Sequence, residues 1–176
     1  MNETLKLAIT LMVISVFSAA ALAVVYEKTY PIIQANKVGK LNNALKEVLP
    51  AEHYEEFKLD VVNAERSFKA FDKDDNQTGL IVLSPAPGFQ SVIKVLIGID
   101  TKTKTVTTIK ILEHLETPGL GSRIEEPDFL GQFKQQGLEK QDFDAITGAT
   151  ISSKAVIDSV KETANEIIKL IEEGKI

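Results

Sequence analysis

The chain opens with an uninterrupted apolar stretch. Residues 7–25 carry no charged side chain, and their polar members are Thr10, Ser15 and Ser18. At about 1.5 Å per residue, a helix of this length nearly crosses a hydrocarbon core of roughly 30 Å. We therefore predict an N-terminal stub over residues 1–6 and a transmembrane helix, in contact with membrane lipid, over residues 7–25.

A cleavable signal peptide is the alternative for the same segment. Lys6 would supply its charged start, and the small residues at 19–23 resemble a cleavage pattern. The apolar run is longer than the roughly 7–15 residues of a signal sequence, which favours the anchor.

Helical spacing continues after the apolar stretch. Up to Pro50, apolar side chains recur at Ile33, Val38, Leu41, Leu45, Val48 and Leu49. Good helix formers lie between them, so we predict a connecting helix over residues 26–50, with a kink near its start at Pro31.

The middle of the chain changes from a helical period to short apolar runs bounded by polar turns. These runs predict strands at residues 57–63, 67–71, 79–83, 92–99 and 105–112. Residues 100–104 would join the last two strands as a hairpin, and residues 72–76 read as another turn. Because the last two strands are almost continuously apolar, the sheet should be covered on at least one face.

The last segment, residues 152–173, is amphipathic. It places Val156, Val160, Ala164, Ile167 and Ile171 on one helical face. Helices at both ends of an antiparallel sheet predict an α+β fold, with residues 51–176 as a single domain.

Composition narrows the classes of function. A chain of 176 residues accommodates one domain plus an appendage. The net charge of −5 argues against binding to a nucleic-acid backbone. With no cysteine and only two histidines, thiolate, iron–sulfur and histidine-rich metal sites are not expected. Charges on both sides of the apolar stretch leave the positive-inside rule little to act on, so sidedness is not decided by charge.

The segment before the last helix, residues 144–153, is the most informative for chemistry. Gly148 and Ala149 remove side-chain bulk, so the backbone can turn tightly and approach another group. Hydroxyl side chains crowd the same place, at Thr147, Thr150, Ser152 and Ser153. A helix start with free N–H groups suits a phosphate. The alternative is that these hydroxyls only cap the helix.

Here the sequence resembles a known family. Thr147-Gly148-Ala149-Thr150, after Asp144 and before residues 152–156, resembles the flavinylation motif of FMN-binding subunits in ion-translocating respiratory complexes. The resemblance implies one FMN per chain, joined through its phosphate to Thr150 by a flavin transferase that takes FMN from FAD. Residues 116–121, Glu-Thr-Pro-Gly-Leu-Gly, resemble the second signature loop of that family, and the single span resembles its architecture.

The resemblance also implies the other cofactor-binding residues. Besides Thr150 they are Thr147, Gly148, Ala149, Ser153, Glu116, Thr117, Gly119, Leu120, Gly121, Gly88 and Phe89. The family commonly has a Gly-Tyr-Gly-Gly-like turn where this chain has Gly88-Phe89-Gln90-Ser91, so Phe89 is interpreted either as stacking on the flavin or as an ordinary core aromatic. Glu116 is either a solvated charge or a group near the cofactor that affects its potential.

Within this family the chain resembles most the G subunits of Rnf complexes. The resemblance implies a redox relay without catalytic residues of its own, in a complex that couples electron transfer between ferredoxin and NAD to ion translocation. Other membrane, flavin and iron–sulfur subunits would be its partners, and the domain would lie on the extracytoplasmic side of the cell membrane. The alternatives are the C subunit of a sodium-translocating NADH:quinone oxidoreductase, a flavin-free assembly subunit, and a flavin-dependent sensor or reductase that works alone.

Overall fold

The computed structural model describes residues 2–59, 61 and 64–175. In chain order its elements are α1 (Glu3–Val48), β1 (His53–Phe57), β2 (Arg66–Phe71), β3 (Gln77–Pro87), β4 (Val92–Asp100), β5 (Thr105–Glu113), a 3-10 helix (Gly121–Glu125), α2 (Pro127–Gly131), β6 (Gln136–Gly137) and α3 (Thr150–Glu172). The predicted α+β fold, with an antiparallel sheet and flanking helices, is confirmed.

The predicted transmembrane and connecting helices form one element. α1 runs through Pro31 without a break, and the side chains of residues 2–40 are exposed. The most apolar part of α1 has a mean hydropathy of 2.5 and is not buried in the protein, so this helix is long and apolar enough to cross a membrane. The chain divides into two compact units, one ending at Lys40 and the other beginning at Leu41.

The second unit is built on a six-stranded antiparallel sheet in which each strand pairs with the next one along the chain, in the order β1-β2-β3-β4-β5-β6. β3 and β4 form a long pair, from Leu80 opposite Ile99 to Pro87 opposite Val92. The predicted hairpin between β4 and β5 is present, with Asp100 opposite Thr105.

Both faces of the sheet are buried. Alternate residues of β3 point to opposite sides: Leu80 and Val82 pack in a cluster with α3, whereas Ile81 and Leu83 pack in a second cluster with the end of α1. All five predicted core positions of α3 belong to or pack against the first cluster. The expectation of at least one covered face is therefore confirmed, and a second helix covers the other face.

The first predicted strand is wrong. β1 lies at His53–Phe57 instead of residues 57–63; Asp60, Val62 and Asn63 lie outside the described residues. Leu59 and Val61 belong to no strand, although Leu59 is buried in the core and Val61 packs against it. Apolar alternation here reflects burial without strand pairing.

β3 extends four residues beyond its predicted end. Its pairing with β2 stops at Leu83, whose carbonyl accepts a hydrogen bond from Glu65 N (2.8 Å), while its pairing with β4 continues to Pro87. Because successive residues of an antiparallel strand bond to opposite neighbours, Pro85 and Pro87 face the side that β2 leaves open. A missing N–H is tolerated there. Both prolines line a groove with Ile151 of α3.

Candidate cofactor site

A cavity of about 380 Å³ lies between the loop that follows β5 and the start of α3. This volume falls within the range of roughly 300–1,000 Å³ that is typical of small-molecule sites. The lining residues are Phe89, Glu116, Thr117, Leu120, Gly121, Gly148, Ala149, Thr150, Ile151 and Ser152. The structure therefore brings together the two loops that the sequence singles out.

Thr150 is the first residue of α3, and its side chain is exposed. The N-cap position belongs to Ala149, and within the part of the chain that the structure describes no side chain caps this end. Ser153 N donates to Ala149 O (2.9 Å), so the N–H groups of Thr150, Ile151 and Ser152 precede the first hydrogen bond of the helix and its dipole favours an anion there. The interpretation of Thr150 as a side-chain cap is wrong.

The turn before α3 is held from its buried side by Ser153. Its hydroxyl accepts a hydrogen bond from Ile146 N (3.0 Å) and donates one to Ala149 O (2.8 Å). Gly148 has a φ of +85°, a conformation that glycine adopts at little cost. Thr147 is exposed, and its carbonyl accepts a bond from Arg123 Nη1 (3.2 Å). These contacts fix the path of the backbone into Thr150.

Glu116 is buried, with 4% of its surface exposed. Its Oε1 accepts hydrogen bonds from Gln90 N (3.0 Å) and Ser91 N (3.1 Å). Its Oε2 accepts bonds from Phe89 N (3.2 Å) and Ser152 Oγ (2.5 Å). The interpretation of Glu116 as a solvated charge is wrong, because its carboxylate ties three segments of the chain together.

Burial and hydrogen bonding act on the Glu116 carboxyl in opposite directions. Burial raises its pKa, whereas the Ser152 hydroxyl and the backbone N–H groups of Gln90, Ser91 and Phe89 lower it, and the net pKa lies below the ordinary value of 4.5. Hydrogen bonds to the charged form outweigh desolvation here. Glu116 is therefore a carboxylate at neutral pH.

This lowered pKa predicts a pH dependence of stability. A carboxyl with a lower pKa in the folded state stabilises the fold above its unfolded value of 4.5, and the contribution is lost as the pH falls through the folded pKa. Wild type should therefore unfold at higher denaturant concentration than Glu116→Gln near neutral pH, and this difference should shrink in acid. Urea unfolding of both full-length chains at a series of pH values measures it. A difference that stays constant with pH would contradict the assignment.

Two predicted glycines allow the backbone to approach this carboxylate. A Cβ atom at Gly121 would lie 2.8 Å from Glu116 Oε2 and 2.9 Å from Ser152 Oγ, and one at Gly88 would lie 2.6 Å from Glu116 Oε1. Gly119 differs, because its φ is +74° and no atom of the described residues lies within 4 Å of the position of a Cβ. Close packing around Glu116 therefore explains two of the glycines, and backbone conformation explains the third.

Exposed apolar side chains form part of the cavity wall. Phe89 is 67% exposed, Leu120 53% and Ile151 57%. The interpretation of Phe89 as a core aromatic is therefore wrong. Apolar and aromatic walls with a few polar groups are typical of cofactor sites, and Phe89 offers an aromatic face to a planar ring.

The predicted and observed site residues overlap without being identical. The predicted Gly88, Gly119, Thr147 and Ser153 lie outside the cavity lining, whereas Ile151 and Ser152 line it and were not predicted as binding residues. Ser152 shares a helical face with Val156 and Val160, and a polar residue on a buried face needs a partner. That spacing was the available signal for Ser152.

Comparisons with known proteins agree with these features. Residues 88–165 match the FMN-binding domain family. The chain is 34% identical to the G subunit of the ion-translocating oxidoreductase complex of Methanosarcina acetivorans, covering 94% of this chain and 95% of the relative. It is 28% identical to the G subunit of the proton-translocating ferredoxin:NAD(+) oxidoreductase complex of Clostridium ljungdahlii, covering 85% and 84%. Among solved structures, NqrC of Shewanella oneidensis is similar with a TM-score of 0.48 and 22% identity, over 69% of this chain and 72% of that one.

The relative from Methanosarcina acetivorans aligns with nearly the whole chain, and the FMN-binding match includes both loops that line the cavity. The chain belongs to the family of G subunits of ion-translocating oxidoreductase complexes.

Proposed function

We propose that this protein is a membrane-anchored electron-transfer subunit that carries FMN in an Rnf-type complex. Such a complex would couple electron transfer between ferredoxin and NAD to ion translocation, as the name of the Clostridium ljungdahlii relative indicates for that protein. The observation that carries the proposal is the cavity in which the Glu116–Gly121 loop faces the exposed Thr150 at the start of α3. When bound, FMN would accept and donate electrons.

The chemistry of the cavity residues fits FMN. Phe89, Leu120 and Ile151 provide an apolar wall for a flat ring system. The first N–H groups of α3 are donors for a phosphate, and Gly148 leaves the approach to them free of a side chain. The apolar wall and the donors line the same cavity, as a molecule with an apolar ring at one end and an anion at the other requires.

Attachment through Thr150 Oγ1 is the second part of the proposal. A flavin transferase would join this oxygen to the FMN phosphorus of FAD; the pyrophosphate bond breaks, AMP leaves and the hydroxyl proton goes to solvent. The exposed position of Thr150 supports this step, because an enzyme must reach the hydroxyl. In the product the phosphate keeps a negative charge at the helix start, where the dipole favours it.

A phosphoester survives denaturation, which gives a direct test. Full-length protein produced with an active flavin transferase should show in-gel flavin fluorescence, and its denatured mass should exceed that of the chain by one FMN less one water. A dark band of unmodified mass, with the transferase shown to be active on another substrate, would contradict covalent attachment.

The lining residues favour a relay over a flavin enzyme that works alone. Glu116 carries the one carboxylate among the described residues that line the cavity. Both of its oxygens already accept hydrogen bonds. Acid–base chemistry on a substrate needs a group free to exchange a proton. We therefore propose that other subunits of the complex, with flavin and iron–sulfur centres, are the electron donor and acceptor.

We also propose that the domain lies on the extracytoplasmic side, where the family resemblance places flavin transferases of this type. The sequence contains no cysteine, so a single introduced thiol has no background. Asp74→Cys lies in an exposed turn and should react with a membrane-impermeant maleimide in intact spheroplasts, whereas Asn2→Cys, before the apolar stretch, should react only after lysis. The reverse pattern would place the domain in the cytoplasm.

A further inference from the structure

Three segments that are distant in sequence meet at the side chain of Glu116. They are the turn between β3 and β4 at residues 88–91, the loop after β5, and the first turn of α3. Phe89 lies on the first of these segments and Thr150 on the last, and both line the cofactor cavity. The carboxylate therefore connects the wall that would face the ring with the residue that would hold the phosphate.

We propose that Glu116 is a positioning residue: its carboxylate, bonded to the 88–91 turn and to Ser152, holds that turn and the start of α3 in a fixed relative position on either side of the flavin site. This role rests on the proposed function, because the object to be positioned is FMN. Glu116 itself would neither be modified nor exchange a proton with the cofactor.

The hydrogen bonds at Glu116 are of the kind that fix geometry. The 2.5 Å contact from Ser152 Oγ to Oε2 has the length of a charge-assisted bond. Oε1 accepts hydrogen bonds from the neighbouring backbone N–H groups of Gln90 and Ser91, so the carboxylate holds the turn through its main chain. Glu116 takes part in none of the ion pairs of the described residues. Its charge is therefore stabilised by the neutral N–H and O–H donors that bind the carboxylate. Moving any one segment would leave a buried charge short of a donor.

The backbone of the same loop is held independently. Glu116 N donates to His114 Nδ1 (3.1 Å), and the Nε2 of that histidine faces Glu125 Oε1 at 3.3 Å. Leu115 N donates to Ser91 Oγ (2.8 Å), which binds the loop to the turn a second time. The carboxylate is thus presented from a fixed main chain.

Steric enclosure supports the same role. The missing side chains of Gly88 and Gly121 leave room only for the carboxylate, since a Cβ at either position would approach it within 3 Å. A group that served mainly as a solvated charge would need no such packing. Two glycines on different segments therefore accommodate one side chain.

The test compares three variants of the full-length protein produced with the flavin transferase. Glu116→Gln keeps the shape but presents an amide NH₂ to N–H donors, and Ser152→Ala removes one donor. Glu172→Gln is the matched control, because it removes the same charge at the far end of α3, about 30 Å away at ~1.5 Å per residue.

Hydrogen exchange, flavin spectra and intact mass are the readouts. We expect the amides of residues 89–91 to exchange about tenfold faster or more in Glu116→Gln, because a bond to a charged group is lost. The reduction potential and the visible absorption of the bound flavin should shift, and the fraction of chains carrying FMN should fall. Ser152→Ala should change all readouts in the same direction by less. Glu172→Gln should match wild type.

Unchanged exchange at residues 89–91 together with an unchanged flavin spectrum in Glu116→Gln would overturn the proposal. If Glu116→Gln loses protection throughout the sheet, the variant is generally destabilised and Ser152→Ala becomes the deciding test. Exchange rates at residues 89–91 of Ser152→Ala equal to those of wild type would then overturn the proposal. If wild type carries no FMN, the proposed function fails, whereas exchange in the flavin-free chain still decides whether Glu116 locks the two segments.

Discussion

Thr150→Ala is expected to abolish covalent FMN completely. The substitution removes the one oxygen that would be esterified, and Ala149 already occupies the cap position of α3 without a side-chain bond. Among the described residues, the hydrogen bond of Thr150 Oγ1 is a long one of 3.5 Å to Ile146 O, so its loss should cost little stability. Intact mass of the denatured chain and in-gel fluorescence measure the result, and thermal unfolding shows that the fold persists.

Two matched substitutions sharpen this test. Thr147→Ala removes another exposed hydroxyl of the same turn and should leave FMN attached, whereas Thr150→Ser keeps a hydroxyl and should retain attachment. An FMN adduct that persists in Thr150→Ala but disappears in Thr147→Ala would move the attachment site. If the complex transfers electrons normally with Thr150→Ala, the proposal of a redox relay is contradicted and the subunit acts in assembly instead.

Gly121→Ala is expected to disrupt the site and to destabilise the domain. The new Cβ would lie 2.8 Å from both Cβ and Oε2 of Glu116. Overpacking of this kind costs about 1–3 kcal/mol, and sometimes more. Glu116 cannot retreat easily, because its carboxylate is bonded to the 88–91 turn and to Ser152. Denaturant unfolding should show the loss, and FMN incorporation should fall with it.

Gly119→Ala is the control within the same loop. Its Cβ would meet no atom of the residues that the structure describes within 4 Å, but its φ of +74° is unfavourable for alanine by about 1–2 kcal/mol. The strain is local and leaves Glu116 in place, so this variant should keep its FMN. Equal loss of FMN in the two variants would show that packing around the carboxylate is not what Gly121 provides.

Elements with a sustained local pattern were predictable from sequence. β4 has a long apolar run, β5 is rich in β-branched residues, and a polar turn lies between them; α3 has a clear helical face and begins at Thr150, two residues before its predicted start. The 3-10 helix, α2 and β6 are too short to show a period, so the sequence predicts no secondary structure over residues 121–137. β1 lies before the predicted strand because the residues that pair with β2 are His53–Phe57, and a single sequence does not show strand pairing.

The candidate site divides in the same way. Thr150 and its turn could be recognised because hydroxyls, glycine and a helix start lie within a few residues. The partners of the Glu116 carboxylate lie 25 to 36 residues away along the chain. No local pattern reports contacts between such distant segments, so burial of this carboxylate became visible only in three dimensions.

The open side of β3 has a consequence for how other proteins can approach. Pro85 and Pro87 offer no N–H where β2 has ended, so a strand from another chain would find acceptors without the alternating donors of a ladder. Edge-to-edge sheet pairing between neighbouring copies of this domain is therefore unfavourable on this side of β3. The groove that these prolines share with Ile151 borders the cofactor cavity. A protein that binds in this groove would have to recognise side chains, because the backbone here cannot complete a strand ladder.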